Sequence, residues 1–210
     1  MASICGSPVC AGGKPKLKFT YTGDYVVRKD GVVELLTSGT LVFLKPAVID
    51  VFMVGGGGMG GVMKNPGISS GAGGGGGGYT ATARKQSVSG SINVTIGQGA
   101  TSQSHQSGKQ YGGTTTFGSI LSANGGESAY YTPQYEGTYA LNGGAGGSGG
   151  GSQSGTGGEN GGDGQTVEFG SYNSKGGAGQ GATTREFGEE NGKLYAGGGA
   201  VSYTHLTLPT

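Results

Sequence analysis

The sequence has no tryptophan, only six prolines and few charges, and each shortage excludes a class of protein. Charged residues make up 12% of the chain, about half the usual share, and the formal net charge is +1. A strongly basic surface that attracts nucleic acid is therefore excluded. Collagen is excluded because its triple helix needs abundant proline and glycine at every third position. Since no run of eighteen apolar residues occurs, no membrane insertion is predicted.

Metal-ligating residues are also scarce. The chain has two cysteines, Cys5 and Cys10, and two histidines, His105 and His205. A zinc site needs about four ligands, and these residues are too dispersed to supply them, so we expect neither a metal nor a cofactor. We interpret the cysteines either as two surface thiols near a flexible start or as one local disulfide. The first residues lack the basic and apolar regions of a signal peptide, so no secretion leader is expected.

The nearest approach to a catalytic motif is a pair of matches to the G-x-S-x-G nucleophile pattern, at residues 67–71 and 146–150. In a chain with this much glycine such matches arise by chance. Neither lies between a predicted strand and a predicted helix, as the nucleophile elbow requires. The one histidine that could serve as a base is His105. We therefore expect no enzymatic activity.

Glycine is what the sequence has in excess, at 53 of 210 residues. It loses more backbone entropy on folding than any other residue and has no side chain to bury, so an ordinary side-chain core cannot offset that cost alone. Six blocks are especially rich in it: residues 55–61, 71–78, 143–151, 155–164, 176–181 and 197–199. Flexible linkers are the ordinary interpretation of such blocks.

Two features favour ordered glycine instead. Val54 leads directly into Gly55, and Gly78 leads directly into Tyr79, so the blocks are tied to apolar strands. The block 143–151 has a period of three, the number of residues in one turn of polyproline-II geometry. A helix of this kind makes no internal hydrogen bonds, and its bare glycine edges allow neighbouring helices to bond to one another. The pattern predicts polyglycine-II helices stacked side by side.

The remaining segments alternate between apolar and polar residues, which is typical of β-strands. Strands are predicted over residues 17–22, 25–28, 32–36, 40–44, 48–54, 79–84, 91–96 and 114–121. Asp30-Gly31 indicates a hairpin, Pro46 is expected to end a strand, and the apolar run 48–54 is the predicted central buried strand. Asn-Gly pairs that begin at positions 124, 142, 160 and 191 indicate further tight turns. The predicted fold is all-β, an antiparallel β-sandwich with inserted polyglycine-II helices and no substantial α-helix.

Residues 130–139 contain four of the eleven tyrosines. Tyrosine gives a large, rigid contact area at low entropic cost, and a tyrosine-rich loop on a rigid scaffold is typical of a recognition surface. The candidate receptor-binding residues are Tyr130, Tyr131, Tyr135 and Tyr139. The alternative is that these rings form a small local core at the ends of the glycine helices.

Residues 49–58, 73–80 and 92–97 place an apolar strand, a glycine block and a β-alternating segment in that order. Together with residues 19–23 and 183–189, this order resembles the glycine-rich domain of phage tail-fibre and related gut-bacterial proteins. It is also similar to the glycine-rich region of anaplastic lymphoma kinase, where a β-sandwich and polyglycine-II layers lie together.

The resemblance implies a structural and receptor-recognition part of a tail fibre, located in the virion. Its expected partners are a bacterial surface receptor, either a carbohydrate or an outer protein, and other tail-fibre proteins; a homo-oligomer is left open. Two alternatives remain: a cell-surface or secreted glycine-rich adhesin, and a disordered glycine-rich linker protein. Amide exchange separates the last of these from a folded domain.

Three parts of the chain are predicted from these patterns. Residues 1–16 are expected to be a flexible N-terminal segment, and residues 17–200 the glycine-rich β domain. Residues 201–210 contain no glycine and resemble a translated sequencing adapter, so we interpret them as a non-native tail that follows a truncation near Ala200.

Overall fold

A computed structural model describes residues 1–6, 17–61, 73–101, 109–135, 138–153, 155–169 and 172–199. The prediction of an all-β, antiparallel fold is confirmed, since the one helical element among these residues is a short 3-10 turn at Glu186–Gly188. The strands are β1 (Ala2–Gly6), β2 (Phe19–Tyr21), β3 (Tyr25–Val27), β4 (Val33–Leu35), β5 (Gly39–Val54), β6 (Thr80–Thr95), β7 (Thr115–Phe117), β8 (Leu121–Ala123), β9 (Tyr130–Tyr135), β10 (Thr138–Asn142), β11 (Val167–Phe169) and β12 (Tyr172–Ser174). No described helix is long and apolar enough to span a bilayer.

Eight strands form one main sheet in the order β3-β4-β1-β5-β6-β7-β8, with β2 also paired to β5. Every pair is antiparallel. Two further hairpins, β9 with β10 and β11 with β12, lie outside this sheet. Strand β5 is central, as its apolar sequence predicts, because β1 and β6 flank it. The finer prediction of a two-layer sandwich stays a prediction.

Strands β5 and β6 are each 16 residues long, and this corrects the prediction that Pro46 ends a strand. The pairing shifts register between Phe43 and Ala47, and the irregularity accommodates the missing N–H of the proline. In β6, Lys85 and Gly90 have positive φ angles of 52° and 67°, so the two predicted strands 79–84 and 91–96 continue through a distorted stretch as one.

Two turn predictions also need correction. Gly118 has a φ of 52°, which reverses the chain and divides the predicted strand 114–121 into the hairpin of β7 and β8. Two of the four Asn-Gly pairs lie in turns: Asn160-Gly161 has positive φ angles at both residues, 49° and 84°, and in Asn191-Gly192 the Gly192 amide donates to the carbonyl of Glu189 at 2.9 Å. The pairs at 124 and 142 are not in turns. The Asp30-Gly31 prediction is confirmed, since Gly31 has a φ of 81° and β3 pairs with β4.

The start of the chain corrects the prediction of a flexible segment for residues 2–6. Strand β1 is buried along its whole length because it lies between β4 and β5, and Ile4 pairs with both Val33 and Val51. Cys5 is fully buried, so it is not a surface thiol. Cys10, residues 7–16 and the tail 201–210 lie outside the described residues.

One apolar cluster forms most of the core of the main sheet. Its fully or nearly buried members are Ala2, Ile4, Val33, Leu35, Leu41, Phe43, Ile49, Val51, Met53, Val88, Val94, Ile96, Phe117 and Ala123. A second cluster lies around Phe52, whose ring centroid is 5.9 Å from that of Phe187 and 5.4 Å from that of Tyr195. The second cluster therefore attaches the segment after residue 184 to the sheet.

Two arginines reinforce this attachment. The Arg28 guanidinium is 2.9 Å from the Glu186 carboxylate, whose side chain is 5% exposed, and it also pairs with Asp30 and Glu34. The hydrogen bond to Asp30, the largest cause, and the charges and bonds of the other carboxylates raise the pKa of Arg28 further above its ordinary range. Arg84 donates a hydrogen bond to the carbonyl of Phe187.

Candidate recognition site and its glycine framework

The glycine blocks bond to one another through their backbones. Gly144 and Gly147 donate to the carbonyls of Gly74 and Gly77 at 2.9 Å each, so the first half of block 143–151 lies alongside block 71–78. Ser148 and Gly151 each donate at 3.0 Å to a third segment, residues 196–199. The glycines at positions 73–78 are all buried. Backbone bonds join residues 55–61, 124–129 and 175–181 to these segments, and we call the whole set the glycine framework.

Bonding partners in the framework recur every third residue. Gly58 and Gly61 donate to Gly76 and Gly73 at 2.8 Å and 2.9 Å. In three further cases, two amides that lie three residues apart donate to two carbonyls that are also three residues apart. Gly126 and Ala129 donate to Gly56 and Met59, Ser148 and Gly151 to Ala196 and Gly199, and Gly144 and Gly147 to Gly74 and Gly77. A segment with this period presents successive residues to different neighbours, which allows one glycine segment to bond to several others.

Block 143–151 does not run as one straight segment. The chain bends at residues 146–148, and the amide of Gly150 donates to the carbonyl of Gly144 at 2.8 Å. The bend is possible because Gly146 and Gly147 have no side chain to obstruct it. Gly144 and Gly147 still bond to acceptors three residues apart, and so do Ser148 and Gly151.

Close approach explains why glycine is required in the framework. A Cβ atom added at Gly146 would clash with the carbonyl oxygen of Gly77, and one at Gly76 would clash with that of Ala145. A few positions differ, because a Cβ at Gly60 would have its nearest neighbour at 3.8 Å and one at Gly197 would meet nothing within 4 Å. The framework is therefore packed through its backbone, with open positions at its margin.

The tyrosine-rich segment predicted as a loop is an antiparallel hairpin of β9 and β10. Its register places Tyr131 opposite Leu141 and Tyr139 opposite Pro133. The chain enters β9 from the glycine framework and returns to it after β10. Before β9, Ala129 donates to the carbonyl of Met59 at 2.9 Å, and after β10, Gly143 donates to that of Lys175 at 2.9 Å. The framework therefore holds the hairpin at its base.

A polar and aromatic group of side chains lies at this base, and we call it the hairpin base cluster: Lys109, Tyr111, Glu127 and Tyr130. The ammonium of Lys109 is 2.7 Å from the Glu127 carboxylate and 4.9 Å from the centre of the Tyr130 ring. The hydrogen bond to Glu127 raises the pKa of Lys109. The Glu127 side chain is 4% exposed, whereas Tyr111 is 59% exposed.

The structure describes one of the four predicted tyrosine side chains, that of Tyr130. For Tyr131, Tyr135 and Tyr139 it describes the position in the hairpin, and their side chains lie outside the described part. The role of all four residues stays a prediction.

Sequence reasoning missed Lys109, Tyr111 and Glu127. Neither periodicity nor a motif relates Lys109 to Glu127, which lie 18 positions apart. They meet because of a framework contact, an isolated β-bridge that places Tyr111 opposite Glu127.

The described part of the chain gives little support for a catalytic serine or a metal site. Ser148, the serine of the second G-x-S-x-G match, is fully buried and accepts a hydrogen bond from the amide of Gly161 at 3.0 Å. The first match and His105 lie outside the described residues. Within the described ranges no three histidine, cysteine or acidic residues cluster as metal ligands would.

Comparison with known proteins gives one match. A family model described as a glycine-rich domain matches residues 37–207, which is most of the chain. No curated protein and no solved structure gives a significant match. The matched range continues into residues 201–207, and the origin of that segment stays a prediction.

Proposed function

We propose, from the premise that this chain belongs to the glycine-rich domain family, that it is a structural and receptor-recognition part of a phage tail fibre. One observation carries the proposal: a tyrosine-rich hairpin, β9 with β10, is attached before β9 and after β10 to a framework of closely packed glycine backbone. In this proposal the framework is rigid, the hairpin meets a bacterial surface receptor, and the protein is a virion component that binds other tail-fibre proteins and has no catalytic role.

The framework segments are polyglycine-II helices in this proposal, next to a β-sandwich. The recurrence of bonding partners at every third residue supports the assignment, because three residues complete one turn of that helix. Bonding between segments supports it as well, since an isolated helix of this type leaves all its backbone groups unpaired.

Rigidity matters because an interface gains affinity when its parts are ordered before binding. The framework segments are joined by backbone hydrogen bonds, so they cannot move apart without losing those bonds. They also pack closely, since most of their glycines have no room for a Cβ atom. Tyrosine rings held on such a base can stack on the apolar faces of sugars or fill pockets in an outer protein. The exposed Tyr111 and the half-exposed Lys109 extend this contact area beyond the hairpin.

The proposal is tested by Tyr131→Ala and Tyr135→Ala in the full chain. Aromatic anchors of an interface typically contribute about 2 kcal/mol or more, so adsorption to host cells should weaken about 30-fold while the melting temperature stays nearly unchanged. Leu44→Ala, at a 60% exposed position of β5, is the control and should change neither property. If the rings instead form a local core, each change lowers stability by about 3 kcal/mol or more, and binding falls only in proportion.

The gene neighbourhood separates the phage proposal from a cell-surface adhesin. Tail, baseplate and lysis genes beside this gene on an intact contig would support a tail-fibre part. Sortase or secretion genes in that position would contradict it.

A further inference from the structure

Strand β3 is an edge of the main sheet, and we propose that it pairs antiparallel with β3 of a second copy of this chain. All three of its residues are apolar and exposed: Tyr25 is 44%, Val26 49% and Val27 57% accessible. Natural proteins usually protect such an edge with charge, proline or a covering segment, because it can pair with another strand. The proposal does not depend on the receptor-binding role of the hairpin.

The outward backbone groups of β3 are available for this pairing. Arg28 donates its amide to the carbonyl of Val32 in the β4 direction at 2.8 Å. Because successive residues of a strand direct their backbone groups to opposite sides, the N–H and C=O groups of Val27 and Tyr25 point away from β4. Within the part of the chain that the structure describes, these four groups have no hydrogen-bond partner.

One register uses all of these groups. With Val26 opposite Val26 of the second copy, Tyr25 of each chain lies opposite Val27 of the other. The two Tyr25–Val27 pairs are then hydrogen-bonded pairs that together form four backbone bonds. A register centred on Tyr25 would need Gly23 as well, and the Gly23 amide is packed so closely against Gly39 that a Cβ on Gly39 would lie 2.6 Å from it.

Charge selects the same register. In the pairing centred on Val26, Asp24 of one chain lies opposite Arg28 of the other. Centring on Val27 instead would place Asp24 opposite Asp30, and like charges directly opposite each other destabilise a strand pair. Arg28 already pairs with carboxylates of its own chain, so this contact contributes to the choice of register more than to affinity.

The pairing would also cover an aromatic group at the sheet edge. The ring of Tyr25 makes edge-to-face contacts with Phe19 and Tyr21, at centroid distances of 5.3 Å and 6.3 Å. Across the proposed interface Tyr25 meets Val27, and an aromatic residue opposite a β-branched one is a favourable cross-strand pair. The main sheets of two copies would then continue into one antiparallel sheet.

Cysteine cross-linking tests the register in the full-length chain. Residues of a non-hydrogen-bonded antiparallel pair have Cα atoms about 4.5 Å apart, which a disulfide can span. In a Cys10→Ser background, Val26→Cys should form a covalent dimer under oxidised glutathione at least about ten-fold faster than Val48→Cys, a matched valine at a 44% exposed position of β5. Equal rates for the two variants would overturn the proposal, as they would show random collision or another occupant of the edge.

Val27→Pro tests the backbone bonds separately. Proline removes the outward N–H of Val27 but no bond to β4, and an edge strand tolerates proline where its N–H faces solvent. Sedimentation of the unmodified protein over a hundred-fold concentration range should show a monomer–dimer equilibrium, and Val27→Pro should remain monomeric with an unchanged melting temperature. A monomer throughout for the unmodified protein, or a dimer that survives Val27→Pro in a folded chain, would overturn the proposal.

Discussion

Replacing Gly146 by alanine should destabilise the protein strongly, although alanine is the mildest substitution of glycine. The new Cβ would clash with the carbonyl oxygen of Gly77, and that oxygen accepts a hydrogen bond from Gly147 at 2.9 Å. The Gly146 amide also donates to the carbonyl of Ala178 at 3.0 Å. A backbone shift that relieves the clash therefore weakens two hydrogen bonds.

The expected change in the free energy of unfolding is the balance of two costs and one gain. Each weakened bond costs about 0.5–1.5 kcal/mol and overpacking costs about 1–3 kcal/mol, while the lower entropy of the unfolded chain returns about 0.4–1 kcal/mol. The expected net loss is about 3 kcal/mol, or about 6–12 °C in melting temperature for a chain of this size. Differential scanning calorimetry measures both quantities.

Gly197→Ala is the matched control. A Cβ at Gly197 meets nothing within 4 Å, and its φ angle is compatible with alanine. Only the entropic effect remains, so stability should stay constant or rise by about 0.4–1 kcal/mol. If Gly146→Ala and Gly197→Ala change the melting temperature equally, block 143–151 is a flexible linker and the close-packing argument is refuted.

Three further predictions concern the rest of the chain. Arg28→Met leaves the nearly buried carboxylate of Glu186 without its cation, so urea unfolding should show a loss of about 3 kcal/mol, and an unchanged midpoint would contradict the ion pair. Burial, aided by nearby carboxylates, raises the pKa of Tyr195 to about 12. The neutral phenol therefore contributes stability below pH 10 that is lost as the pH rises toward 12. Tyr195→Phe should flatten the curve of melting temperature against pH in that range. Identical curves for the two proteins would count against that burial. Deletion of residues 201–210 should leave the melting temperature unchanged, whereas a clear decrease would show that the tail is native.

The sequence predicts those elements whose cause is local. The β3–β4 hairpin follows from Asp30-Gly31, because glycine adopts the required positive φ without strain, and the central strand follows from the apolar run 48–54. Strand β1 was missed because its order depends on β4 and β5, which are distant in sequence. Pro46 was misjudged because a register shift in β5 absorbs it, and no local pattern indicates such a shift.

The candidate site also combines features that the sequence shows with features that arise only on folding. The four tyrosines of residues 130–139 are visible as a local excess, but the hairpin that carries them is not, because its register depends on pairing between β9 and β10. The hairpin base cluster is invisible in the sequence, since Lys109 and Glu127 meet only after the glycine segments have packed. The glycine period of three was a correct signal of bonding between segments, while the bend at 146–148 carries no residue pattern of its own.

Amide hydrogen exchange tests most directly whether the glycine blocks form a folded framework. The amides of Gly77, Gly144 and Gly147 are buried and hydrogen-bonded, so they should exchange as slowly as the amides of β5. The amides of Gly60 and Gly99 are exposed and have no hydrogen-bond acceptor among the described residues, and they should exchange rapidly. Exchange of all five at the rate of an unstructured chain would contradict the framework.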